Sequence, residues 1–107
     1  LKNVNDKVIV ALFTTLNNDE NENVRLATLD ALVRFADNPK VREGLVASLL
    51  RQDSELMQVA LANVMLQLQE KRSVTPLKKL LEIKNINTMV KKKLEQTVKH
   101  IEASSTL

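Results

Sequence analysis

The stretch "DENENVRLATLDALVRF", Asp19 to Phe35, decides how the rest of the chain is read. An acidic, Asn-rich segment runs into Val24 and Arg25, and apolar residues then recur at helical spacing. The run is either a surface loop ahead of one amphipathic helix or one unit of a repeated architecture. The first reading sends the search toward a pocket, the second toward an interaction surface.

Working outward, the apolar residues Val4, Val8, Ile9, Leu12, Phe13 and Leu16 predict a helix over 4–16. A second helix is expected over 23–36, with Asn23 as N-cap. Asp37-Asn38-Pro39 reads as a turn in which Asp37 or Asn38 caps a third helix, running to about Arg51 with Gly44 inside it. Asp53 or Ser54 then caps a fourth helix over 55–69. Its "LMQVALANVML" is apolar on nearly every face, the pattern of a central helix packed on several sides. Ser73 or Thr75 starts a fifth helix ending near Ile83. Asn87 or Thr88 caps the sixth, from Met89 to Glu102, and residues 104–107 are expected to form a disordered tail.

Sliding the second helix by 32 residues onto the fourth, and the fourth by 33 onto the sixth, superimposes Val24, Leu56 and Met89. It likewise superimposes Leu29, Leu61 and Leu94. Leu45 and Leu49 of the third helix fall on Leu77 and Leu81 of the fifth. Helices and breaks keep one order through three units. The expected fold is all-α: a single domain over 1–103, built as a short right-handed α-solenoid of three helical hairpins. The units are about 4–36, 41–69 and 74–102. A six-helix bundle without repeats is the alternative.

Composition agrees with an all-α domain. The 107 residues are 44 % hydrophobic, with one Gly and two Pro, which leaves little material for hairpin turns. Phe13 and Phe35 are the only aromatic residues, so the core must come from Leu, Val, Ile, Ala and Met. Cysteine is absent, which excludes disulfides, thiolate metal sites and a Cys nucleophile. No apolar run is long enough to span a membrane. Because the chain begins at Leu1, it reads as an excised or processed piece whose targeting or membrane segments would lie elsewhere.

The residues that carry chemistry are scarce. His100 is the single histidine, flanked by Lys99 and Ile101, and reads as a surface residue rather than part of a triad. The acidic run 18–22 lacks the Gly and terminal Glu of a calcium loop, and one Gly cannot make a phosphate-binding loop. The expectation is therefore no enzyme, no metal and no cofactor.

The stretch "LNNDENENVRLATLDAL" resembles the signature of the HEAT-repeat family, with Leu16, Asp19, Val24, Arg25, Leu29 and Leu32 where that pattern wants them. "QDSELMQVALANVML" keeps Asp53 but has Met57 in place of the Arg, and "INTMVKKKLEQTV" lacks the Asp. Residues 24–82 are similar, more narrowly, to the C-terminal HEAT-type domain of bacterial membrane-anchored anti-sigma-like (zinc-finger) proteins. That resemblance implies an extracytoplasmic sensory or regulatory part. The zinc module and membrane span that go with it are not in this chain, so their activity is not carried over. The HEAT resemblance implies that Asp19, Arg25 and Asp53 form a hydrogen-bonded ladder between neighbouring units.

It also implies that the second helix of each unit lines a binding groove. The candidate groove residues are Arg34, then Gln58, Val59, Ala62 and Leu66, then Lys92 and Lys99. The expected function is non-enzymatic presentation of this surface to a protein or peptide partner. Burial of the fourth helix by curvature, or by association of two copies, is the competing reading of its apolar face. Residues 1–70 hold 7 Lys/Arg and 10 Asp/Glu, whereas residues 71–107 hold 9 and 3. The basic last third therefore raises an alternative, an accessory nucleic-acid or anionic-surface module on the last two helices. Scarce Arg and the lack of aromatic residues there weigh against it.

Overall fold

Six α-helices form, and each begins where the sequence offers a side-chain oxygen to cap it or a preceding turn to extend. A computed structural model describes residues 5–104. The helices are α1 (Asp6–Asn18), α2 (Glu22–Val33), α3 (Pro39–Ser48), α4 (Glu55–Leu68), α5 (Val74–Leu81) and α6 (Thr88–Ala103). Two 3-10 turns, Leu49–Arg51 and Lys71–Ser73, extend α3 and lead into α5. No strand occurs among the described residues. The start expected at Val4 lies outside them, as do tail residues 105–107. Ser104 closes α6, its hydroxyl donating to the Ile101 carbonyl at 2.8 Å.

The caps fix the register. Asn5, Asn21, Asn38, Ser54 and Asn87 each accept backbone N–H groups through the side chain. Asn5 and Asn38 stand 33 positions apart, as do Asn21 and Ser54, and Ser54 and Asn87. This corrects two expectations. The cap of α2 is Asn21 rather than Asn23, because Asn21 lies where its Oδ1 reaches the N–H groups of Asn23 and Val24. The spacing between α2 and α4 is 33 rather than 32, so Val24 corresponds to Met57 and not to Leu56.

Contacts between residues far apart in sequence show how the helices lie. Lys40 pairs with Asp6 at 2.6 Å, so α1 and α3 begin side by side. Ser54 donates to Glu22, so α2 and α4 also begin together. Asp53 and Glu55 share a cavity with Asn85, Ile86 and Asn87, which sets the start of α6 beside that of α4. The first helices α1 and α3, with α5 against the turn after α3, thus form one row, and α2, α4 and α6 form another. The two rows make a slab 37 × 36 × 17 Å.

Between the rows lies the core. Leu16, Leu32, Leu45, Leu49, Leu61, Met65, Leu77, Leu94 and Ile101 have no solvent exposure. Within the first row, Phe13 of α1 lies directly on Gly44 of α3, with no room for a β-carbon there. Gly44→Val is expected to destabilise by about 1–3 kcal/mol through overpacking, partly offset by helix propensity. A urea midpoint equal to that of the parent would contradict this packing.

Candidate functional site: the outer face of the second helices

Arg25 is 8 % exposed, and its guanidinium joins the end of α1 to the turn after α3. Its Nε donates to the Leu16 carbonyl at 2.9 Å, and Nη2 donates to Gln52 Oε1. Gln52 Nε2 in turn donates to Asn17 Oδ1 at 2.7 Å and to the Ser48 carbonyl at 3.1 Å. Gln58 donates to the Gln52 carbonyl at 2.8 Å. A polar seam thus joins the end of α1, the start of α2, the turn after α3 and the start of α4.

The seam revises the expected ladder. The side-chain partner of Arg25 is Gln52, which stands 33 residues after Asp19. Asp19 accepts instead from the Asn21 N–H at 2.8 Å, and Asp53 is exposed. The signal that would have found Gln52 was the 33-residue register. At 32, Asp19 points to Arg51, and the motif alone points to Asp53.

A second polar cluster sits at the other end of α4. Gln69 adopts a left-handed conformation (φ 52°) and turns the chain so that Glu70 caps the next 3-10 turn. The Glu70 carboxylate, 6 % exposed, accepts from Arg42 at 2.8 Å, from the Arg72 guanidinium through two bonds at 2.8 and 3.0 Å, and from the Arg72 backbone N–H at 2.9 Å. Hydrogen bonds from Arg72 above all, opposed by burial and helped by Arg42, hold its pKa down at about 2. Both clusters hold helices together. Among the described residues no buried side-chain polar atom lacks a partner.

The candidate groove divides. Arg34, Lys92 and Lys99 are exposed, and Val59 and Leu66 are half-buried against the core. Gln58 at 5 % and Ala62 at 0 % are interior and cannot line an open groove. They face the flank of α4 that α6 and the loop before it cover; Gln58 lines a cavity of about 310 Å³ with Ile83, Asn85 and Ile86. The outward face of α4 runs instead through Leu56, Ala60, Asn63 and Gln67. On α2 the same face carries Asn23, Ala27, Asp30 and, just past its end, Arg34; on α6 the corresponding positions are Met89, Lys93, Gln96 and His100, with Lys92 and Lys99 one position to the side.

Leu56 is 49 % exposed and Met89 81 % exposed, at equivalent first-turn positions of neighbouring parallel helices. Both were outside the sequence-derived site, because an apolar residue at helical spacing reads as core. Lys92 and Lys99 flank a shallow depression of about 370 Å³ with Glu95 and Gln96. Lys91, Lys92, Lys93 and Lys99 make no ion pair among the described residues. Arg34 is engaged within α2, at 3.5 Å from Asp30. His100 is exposed, with Nδ1 2.8 Å from the Gln96 carbonyl.

The first row offers a different concavity, about 420 Å³, between α1 and α3, with Ile9, Val10, Phe13 and Ala47 on its walls and Arg51 at its rim. No described helix is long and apolar enough to cross a membrane. Comparison with protein families, with curated proteins and with solved structures finds no match to this chain.

Proposed function

We propose that the protein is a three-unit, HEAT-like α-solenoid that acts without catalysis, presenting the outer face of α2, α4 and α6 to a protein partner. The observation that carries this reading is the exposed apolar pair Leu56 and Met89 beside the unpaired lysines of α6. Apolar anchors rimmed by charge suit protein recognition. The solenoid reading draws its support from the constant 33-residue cap spacing and the two rows of parallel helices. That spacing is shorter than the roughly 40–47 residues usual for HEAT units. An extracytoplasmic regulatory role in an anti-sigma-like protein is the narrower form of this proposal and rests on the sequence resemblance alone.

The double substitution Leu56→Ser, Met89→Ser removes both anchors. It is expected to leave the melting temperature within a few degrees of the parent, since exposed substitutions change stability by roughly ±0.5 kcal/mol each. Partners crosslinked to the parent should be lost from the variant. A large fall in melting temperature would make these residues core and end the reading.

The unpaired lysines of α6 favour a second reading, binding of nucleic acid or an anionic surface. A gel shift titrated with salt decides it. Binding that weakens steeply between about 50 and 200 mM salt supports it, and no binding at low salt removes it.

A further inference from the structure

The concavity between α1 and α3 has a direction. Ile9, Val10, Phe13, Thr14, Asn17 and Asn18 line it from α1 at helical spacing, so they form one continuous stripe, about 13 Å long at 1.5 Å per residue. The stripe begins apolar, with Val10 65 % exposed beside the buried Ile9. Phe13, resting on Gly44, is its middle, and Ala47 of α3 stands on the facing wall. Its far end is polar.

Donors collect at that end. The helices α1 and α3 begin side by side, so the turn after α3 lies beside the end of α1, where Gln52 donates to Asn17 Oδ1 at 2.7 Å. That bond occupies the Asn17 oxygen and leaves Nδ2 as its open donor. Arg51, next to Gln52, brings the only charge on the walls among the described residues, and it makes no ion pair among them. Free carbonyls at the end of α1 would repel an anion. Those of its last full turn are already taken: the Thr14 carbonyl by Asn18 Nδ2 at 2.9 Å, that of Thr15 by the Asp19 N–H at 3.0 Å, and that of Leu16 by Arg25 at 2.9 Å. The Asp19 carboxylate accepts from the Asn21 N–H and does not line the cavity.

We infer that this cavity binds a small carboxylate with an apolar body, the chemistry of a medium-chain fatty acid. Arg51 and the Asn17 amide take the carboxylate, and the chain lies along Phe13 and Ala47 toward Val10. The volume of about 420 Å³ is that of a small-molecule site. A cation meets no carboxylate on these walls, and an anion without an apolar body leaves the Val10 half unused. The inference uses neither the 33-residue register nor the outer face of α2, α4 and α6, so it and the partner-binding reading fail independently.

Amide chemical shifts of the full chain, titrated with octanoate below its micellar range, test this. Saturable shifts are expected at Phe13, Asn17, Ala47 and Arg51. Octylammonium, with the same body and the opposite charge, and acetate, with the head alone, should leave these amides in place. Arg51→Gln should weaken octanoate binding about tenfold or more, through loss of a charge-assisted hydrogen bond. Val10→Asp puts a carboxylate on the apolar wall at an exposed position, where folding is spared, and should abolish saturation. No saturable shift with octanoate, equal shifts with octylammonium or acetate, or full binding by either variant overturns the proposal. Shifts centred on Leu56 and Met89 overturn it too, because they mark general adsorption to exposed apolar side chains. A peptide with apolar C-terminal residues that shifts the cavity amides where octanoate does not would make a protein C-terminus the occupant, and also overturn it.

Discussion

Leu61→Ala in the middle of α4 is expected to remove about 2–5 kcal/mol of folding stability. Leu61 has no solvent exposure and sits on the helix that contacts α2, α6 and the turn after α3. Truncation loses the transfer free energy of three carbons and leaves a cavity that three neighbours cannot jointly close. A domain of this size holds about 5–15 kcal/mol in total, so the loss is a large share. The melting temperature should fall by on the order of 10 °C or more. Two residues on, Asn63 points to solvent, and Asn63→Ala should change stability by less than about 0.5 kcal/mol. The contrast is measured by urea unfolding of both variants. Equal effects at 61 and 63 would mean that α4 does not hold this orientation.

Glu70→Gln is expected to cost about 2–4 kcal/mol at neutral pH, because it leaves Arg42 and Arg72 facing a neutral amide in a mostly buried place. Arg72, 54 % exposed, keeps part of its hydration, which holds the loss toward the lower end. The same group predicts acid sensitivity. Its pKa falls from 4.5 to about 2 on folding, so its stabilisation is complete above about pH 4.5 and disappears as the pH drops toward 2. Over that interval the parent should lose about 3 kcal/mol from this carboxylate, at roughly 1.4 kcal/mol per pKa unit. Glu70→Gln should show a flatter acid limb. A parent and variant that lose stability in parallel between pH 5 and 2.5 would show that Glu70 is not the responsive group.

Much of the architecture was legible in the chain. The 3.6-residue periodicity, two prolines and one glycine predicted six helices and no strands, and that is the secondary structure of the described residues. Asn38, Ser54 and Asn87 were each one of two adjacent candidates for a cap, and the choice between neighbours follows from which oxygen reaches two or three residues forward. The site was less legible. On α4 almost every face is apolar, so the pattern does not say which flank meets α6 and which meets water. Gln58 and Ala62 read as groove residues and are interior, while Leu56 and Met89, superimposed on Val24 but not placed in the groove, are exposed.

Local chemistry by itself determined the helices, because capping and periodic apolar burial are short-range properties written in consecutive residues. The opposite charge of the two ends was likewise plain from the sequence. Only the tertiary structure decided that Arg25 takes Gln52 from the turn after α3, that Glu70 draws in two arginines, and that Val8 and Val24 are left open on α1 and α2. These depend on which helices become neighbours. Neighbours are set by packing between residues 33 apart, where one position's error in register exchanges a buried side for an open one.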